Sequence, residues 1–166
     1  MKSIIIGFAL LIGMGGASWA LEPQDVVGTW KLLSSVRQVA GSDKTIDNLG
    51  AHPNGVLIIT PEHRFIVIFT AAEGRRPATT TEEFAALQKS QIAYSGLATL
   101  SPDPDNPNGL KLLNKVDIAW NEEWTGTVQT RFLSLEGNRL TIRTPLIKNP
   151  YTGEMAISTL LFERSK

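Results

Sequence analysis

Eight short runs of alternating or β-branched residues, interrupted by one helix-like segment, constrain this chain more than any other feature. The runs cover residues 27–39, 55–60, 64–70, 92–100, 110–120, 125–135, 139–144 and 155–164. Most repeat apolar residues at every second position, the period of a half-buried strand. Pro61-Glu62-His63 reads as a hairpin turn, and Glu136-Gly137-Asn138 is short enough to make its two strands antiparallel neighbours. Between residues 80 and 91 the period changes. Thr80 and Glu83 form a capping-box pattern, and Phe84, Ala85, Leu87 and Gln88 follow at helical spacing. This predicts a helix over residues 81–91 that lies on the strands and buries Phe84 and Leu87. Strands joined by turns, with a single helix, exclude the alternation that builds a parallel sheet. The expectation is an all-β protein, an eight-stranded antiparallel up-and-down barrel with one short helix. A β-sandwich of the same strands is the alternative. The segment from Ser101 to Gly109 carries Pro102, Pro104 and Pro107, and reads as a loop through which no strand passes.

Residues 1–20 read as a signal peptide and residues 21–166 as one barrel domain. Lys2 precedes an apolar stretch from Ile4 to Ile12, and the small residues that follow end in Ser18-Trp19-Ala20, an A-x-A-like cleavage site. A membrane anchor would need about 20 apolar residues, and the glycine-rich segment 13–17 is too weakly hydrophobic to extend the stretch that far. The expected location is therefore secreted or periplasmic, with no membrane anchoring after cleavage. The chain has no Cys, which excludes disulfides, a lipid anchor on cysteine, thiolate nucleophiles and Cys-based metal sites. Stability has to come from a hydrophobic core, and a domain of this length can build one. Sixteen basic and sixteen acidic residues balance. There is no basic patch of the kind that meets nucleic acid, and no basic amphipathic helix of the kind that lies on membranes.

Several motifs are similar to those of lipocalins. Gly28-Thr29-Trp30 opens the first run, and Arg164 closes the last, after Leu160-Leu161-Phe162-Glu163. In lipocalins a G-x-W Trp plugs the closed end of the barrel, and an Arg from near the chain's end packs across the indole. The resemblance assigns that structural lock to Trp30 and Arg164. Further pieces resemble the bacterial and fungal lipocalin-like domain family: Gly28-Thr29-Trp30-Lys31-Leu32, Pro53-Asn54-Gly55-Val56-Leu57, Tyr94-Ser95-Gly96, Trp124-Thr125-Gly126-Thr127 with Arg131, and Gly137-Asn138-Arg139-Leu140. The resemblance implies a calycin-type barrel open at one end. Functions in that family are mostly unassigned, and some fungal relatives are tied to natural-product pathways. The strand after the proline loop often carries an inward His in this family. Here that place is Asn114, so proton transfer by such a His does not carry over.

Four residues are candidates for ligand binding: Tyr94, Asn114, Trp120 and Arg131. Alternation along residues 110–120 puts Leu112, Asn114, Val116, Ile118 and Trp120 on the inward face. A buried Asn needs partners, so Asn114 bonds either a ligand or a backbone group inside the barrel. Tyr94 is either a ligand contact beside Gly96 or a core Tyr with its hydroxyl at the rim. Arg131, if inward, needs an anionic partner, and a carboxylate suits its fork. The alternative inward set is Val128, Thr130 and Phe132, which leaves Arg131 in solvent. On the first strand the alternation predicts Trp30, Leu32, Ser34 and Val36 on one face.

Other chemistry is poorly supplied. Glu122-Glu123 reads as a solvated loop, and His52 and His63 have no second ligand at metal-binding spacing. Gly74-Arg75-Arg76-Pro77 is a basic turn, either solubilising or a contact for an anionic head group at the barrel mouth. No nucleophile elbow, phosphate loop or zinc-protease helix is present. The expectation is no cofactor, no metal, no catalytic residue and no nucleic-acid partner. The first function class is a binding protein holding a small hydrophobic molecule, acidic or neutral, inside the barrel. The second is a cofactor-free isomerase, cyclase or hydrolase acting on such a molecule, which needs a titratable pair in the cavity. The third is a structural barrel with a filled interior. Residues 56–59 and 65–69 are apolar on both faces, so either the helix or a second copy of the chain, as a homodimer, is expected to cover them.

Overall fold

The computed structural model describes residues 20–148 and 153–165. The expected signal segment, apart from Ala20, lies outside the described residues. The domain is a closed antiparallel barrel of eight strands: β1 (Gly28–Val39), β3 (Asn54–Ile59), β4 (Arg64–Thr70), β5 (Gln91–Asp103), β6 (Asn106–Ala119), β7 (Val128–Glu136), β8 (Arg139–Arg143) and β10 (Met155–Arg164). Consecutive strands pair, and the β1–β10 pairing closes the cylinder. Two short strands that the alternation does not announce, β2 (Thr45–Asp47) and β9 (Ile147–Lys148), pair with β1 and β10. The one α-helix among the described residues, α1 (Thr81–Lys89), connects β4 to β5, and 3-10 turns at Pro23–Val26 and Glu122–Trp124 precede β1 and β7.

The core is the barrel interior. Trp30, Leu32, Leu57, Ile59, Phe65, Val67, Leu110, Leu112, Leu133, Leu140 and Phe162 are all buried, and each sits on an inward position of its strand. One end is plugged. Trp30 is fully buried, and its indole Nε1 donates to the Val26 carbonyl at 3.0 Å. The Arg164 guanidinium carbon lies 4.0 Å from the centre of the Trp30 ring, Nη1 donates to the Val27 carbonyl at 2.8 Å, and Nη2 donates to the Asp25 carbonyl. Gly28 has φ +139°, and a Cβ there would come within 2.8 Å of Arg164 Nη1. The glycine before the Trp is thus what lets the guanidinium reach the backbone of the 3-10 turn.

Four expectations are corrected. First, α1 ends at Lys89, and it buries no residue. Phe84 is 61% exposed and Leu87 half-buried, because β5 begins at Gln91 and draws the chain back into the sheet. The helix does form from its capping box, with Thr80 Oγ1 accepting from Glu83 N and the Glu83 carboxylate accepting from Thr80 N. Second, strands do pass through the proline segment. β5 runs to Asp103 and β6 starts at Asn106, since Asp103 turns the chain with its own carboxylate, accepting from Asp105 N at 3.0 Å.

Third, β1 carries a bulge: Leu32 pairs with Phe162 and Ser34 with Leu161, leaving Leu33 without a partner in the ladder. The extra residue shifts the phase, so Ser35 and Arg37 are buried in place of Ser34 and Val36. Fourth, β6 has a similar irregularity against β5, where Ser95 pairs with Ile118 and Gly96 with Val116. Asp117 is the extra residue. Beyond it Ile118 is 69% exposed, not inward.

Candidate functional site

Inside the barrel lies a cavity of about 90 Å³. Phe65, Val67, Phe69, Ile92, Leu160 and Phe162 make most of its wall. The strands supply these side chains through their inward positions, and Trp124, from the 3-10 turn between β6 and β7, adds an indole. The polar lining is sparse: Tyr94, Arg131, Ser35, Asn48, Thr144 and Ser158.

Arg131 points inward. It alternates with Leu133 as the buried pair of β7 and is only 5% exposed, so the alternative phase with Val128 and Phe132 inward does not occur. Nη1 donates to the Thr130 carbonyl at 2.7 Å and to Gln129 Oε1 at 3.5 Å, and Nη2 donates to the Tyr94 hydroxyl at 3.2 Å. Every one of these partners is neutral. Among the described residues, the ion pairs are Arg37 with Glu154, Arg64 with Asp117 and Arg76 with Glu83, and none involves Arg131. A guanidinium is a cationic donor, and this one lacks the carboxylate that a buried cation ordinarily acquires.

Tyr94 is held in place by its rings as well as by Arg131. Its ring centre lies 5.9 Å from that of Phe65 and meets the Trp124 ring edge-on at 5.3 Å. Because the Tyr94 oxygen accepts from Arg131, its own proton is free to donate. The two side chains therefore present adjacent donors to a single oxygen in an apolar wall.

The other two sequence candidates are placed differently. Asn114 is fully buried on the inward face of β6, yet it lies outside the cavity lining, and neither carboxamide atom has a hydrogen-bond partner among the described residues. Gly96 makes room for it, since a Cβ at Gly96 would come within 2.2 Å of Asn114 Oδ1. Trp120 also stands behind the lining. It packs edge-on against Trp124, ring centres 4.7 Å apart, and so supports the indole that does line the cavity.

Sequence reasoning missed Trp124, Ser35, Asn48, Thr144 and Ser158 as lining residues. The signal for Trp124 was its loop position beside a strand start. Ser35 is hidden behind the β1 bulge, and Asn48 comes from a loop whose return onto β1 is a tertiary contact. In the basic turn, Arg75 Nη1 donates to the Leu87 and Ser90 carbonyls at 3.2 and 3.4 Å and to Ser90 Oγ, while Arg76 reaches the Glu83 carboxylate at 3.2 Å; neither side chain lines the cavity. Arg75 thus closes the C-terminal end of α1, and Arg76 pairs with its first turn. Glu122 and Glu123 are exposed. No group of three His, Asp or Glu side chains among the described residues is placed to hold a metal.

The sequence profile of the lipocalin-like domain family matches residues 27–165, the whole barrel. The chain belongs to that family. Comparison with curated proteins gives no match. In this lipocalin-like domain the closed end is filled by Trp30 and Arg164, and the cavity sits toward the other end, where Trp124 of the Glu122–Trp124 turn lines it. An eight-stranded barrel of this kind is wide enough to hold one small ligand.

Proposed function

We propose that this lipocalin-like barrel binds a small apolar molecule bearing an acidic oxygen, seated in the cavity with that oxygen on Arg131 and Tyr94. The observation that carries the reading is Arg131, a cation 5% exposed in a mostly apolar cavity with neutral partners only. A ligand carboxylate would supply the missing charge and accept from both side chains. The cavity volume of about 90 Å³ is below the roughly 300 Å³ of pockets for drug-sized molecules, which favours a short chain. The described lining contains no Asp, Glu, His or Lys. That favours binding over an isomerase, cyclase or hydrolase activity, which would need a general base in reach. The leader-like residues 1–20 support an exported setting, secreted or periplasmic.

The test is calorimetric titration of residues 21–166 with a series of short-chain and aromatic acids and their neutral alcohols, on the wild type and on Arg131→Met. Acids should bind the wild type and lose at least about tenfold in affinity on the variant, as for loss of a charged hydrogen bond, while the alcohols are unaffected. Acid affinity unchanged by Arg131→Met would dismiss the reading.

A further inference from the structure

The cavity has a second polar pole, and it lies across the lumen from the first. Around the barrel the strands run β1, β3, β4, β5, β6, β7, β8, β10 and back to β1. β1 therefore faces β6, and the two strands that flank β6 are β5 with Tyr94 and β7 with Arg131. On β1 the lining residue is Ser35, 3% exposed, with Asn48 beside it. The Ser35 carbonyl accepts from Asn48 N at 2.9 Å, and Ser35 Oγ accepts from Asn48 Nδ2 at 3.5 Å. The main-chain bond fixes the loop, so the Asn48 carboxamide and the Ser35 hydroxyl face the cavity together.

The bulge at Leu33 produces this pole. Unbroken alternation from Trp30 and Leu32 would turn Ser34 and Val36 inward and leave Ser35 outside. The extra residue reverses that, and bulges beside binding sites commonly re-aim a side chain in this way. The pole is neutral. Arg37, the next inward residue of β1, has the Glu154 carboxylate at 3.8 Å, so the charge on this side has an acidic partner, whereas Arg131 has none. Ser35 Oγ, already accepting from Asn48, has a proton left to donate, and Asn48 Oδ1 is an acceptor. A hydroxyl can use both, giving to one and taking from the other.

We propose that the ligand is bipolar: a short apolar acid whose far end carries a hydroxyl, with the carboxylate on Arg131 and Tyr94 and the hydroxyl between Ser35 and Asn48. This rests on the acid-binding reading of the same cavity. Pentanoate, ω-hydroxypentanoate and pentanol serve as probes, titrated calorimetrically against the wild type, Ser35→Ala, Asn48→Ala and Arg131→Met. Circular dichroism and thermal melting establish that each variant is folded. Ser35→Ala keeps the main-chain bond to Asn48, and should it fail to fold, Asn48→Ala makes the same comparison.

On the wild type, ω-hydroxypentanoate should bind about five- to tenfold more tightly than pentanoate, the ratio expected of one net hydrogen bond. In Ser35→Ala and Asn48→Ala that advantage should vanish while pentanoate binds as before. Equal binding of the two acids, with both lost in Arg131→Met, would overturn the second pole and leave the anion site standing. An advantage that survives both β1-side variants would overturn it as well. Failure of pentanoate to bind the wild type, or its undiminished binding to Arg131→Met, would remove the acid-binding reading and the bipolar ligand with it.

Discussion

Trp30 and Arg164 join the first and last strands of the barrel through one stacked contact. They are also direct partners in the β1–β10 ladder, so the ring and the guanidinium meet without either side chain having to reach far. Stacking on an indole adds about 0.5 to 2 kcal/mol according to solvent exposure, and the two carbonyls that accept from Arg164 tie the 3-10 turn over the end of the barrel. The larger contribution is burial of the Trp30 ring itself. Trp30→Ala is expected to destabilise the domain by about 3 to 5 kcal/mol, as for other large core aromatics, read from urea unfolding at constant slope. A loss below about 1 kcal/mol would mean that the plug is not a packed part of the core. Arg131 puts the same side chain to a different use: it is 5% exposed and lines the cavity, where its charge stays available to a ligand.

Two strands are bent by one extra residue each, and the helix packs on neither. At the β6 bulge, Asp117 turns outward and its carboxylate meets the Arg64 guanidinium of β4, which also donates to Ser95 Oγ of β5. Three neighbouring strands are thus linked at one level of the barrel. The hydrogen bond from Arg64 holds the Asp117 carboxyl below its ordinary pKa of 3.8. A carboxyl whose pKa is lower in the folded state stabilises the fold above its unfolded pKa, and this contribution disappears as pH falls through the folded value. Both side chains are about two-fifths exposed, 39% and 44%, so solvent keeps the effect under about 1 kcal/mol. Asp117→Asn should lower the melting temperature slightly at neutral pH and match the wild type once the pH is well below about 4. A difference that persists in acid would point to packing and not to charge. For α1, which buries no residue, Phe84→Ser should change stability by no more than about 0.5 kcal/mol in the same unfolding assay. A loss of several kcal/mol would mean that Phe84 is covered in solution.

At the scale of the molecule, the barrel is held shut by the pairing of its two ends. β10 lies between β8 and β1, so removing it leaves two strand edges unpaired and opens the core. A chain truncated before Met155 should lose cooperative thermal unfolding and associate through those edges, as followed by circular dichroism and size-exclusion chromatography. A monomeric, cooperatively melting fragment would contradict closure as the source of stability. The amino-acid sequence by itself determined the class of this fold, because period-two apolar runs, turn residues and a capping box are local signals that each strand or helix carries within its own residues. It also assigned Trp30 a partner across its ring, and it said what Arg131 would need if turned inward, since a guanidinium carries the same demands wherever it is buried, but it left open which way Arg131 points. It did not determine which way Ser35, Arg37 and Ile118 face. A bulge is chosen by how two strands pair, and one extra residue reverses every side chain beyond it. Nor did it fix the fate of Phe84: a capping box starts a helix but does not decide what packs on it. Only the closed barrel decided these, by bringing β1 opposite Tyr94 and Arg131, where the rephased Ser35 and the returning loop at Asn48 complete a cavity that no single segment encodes.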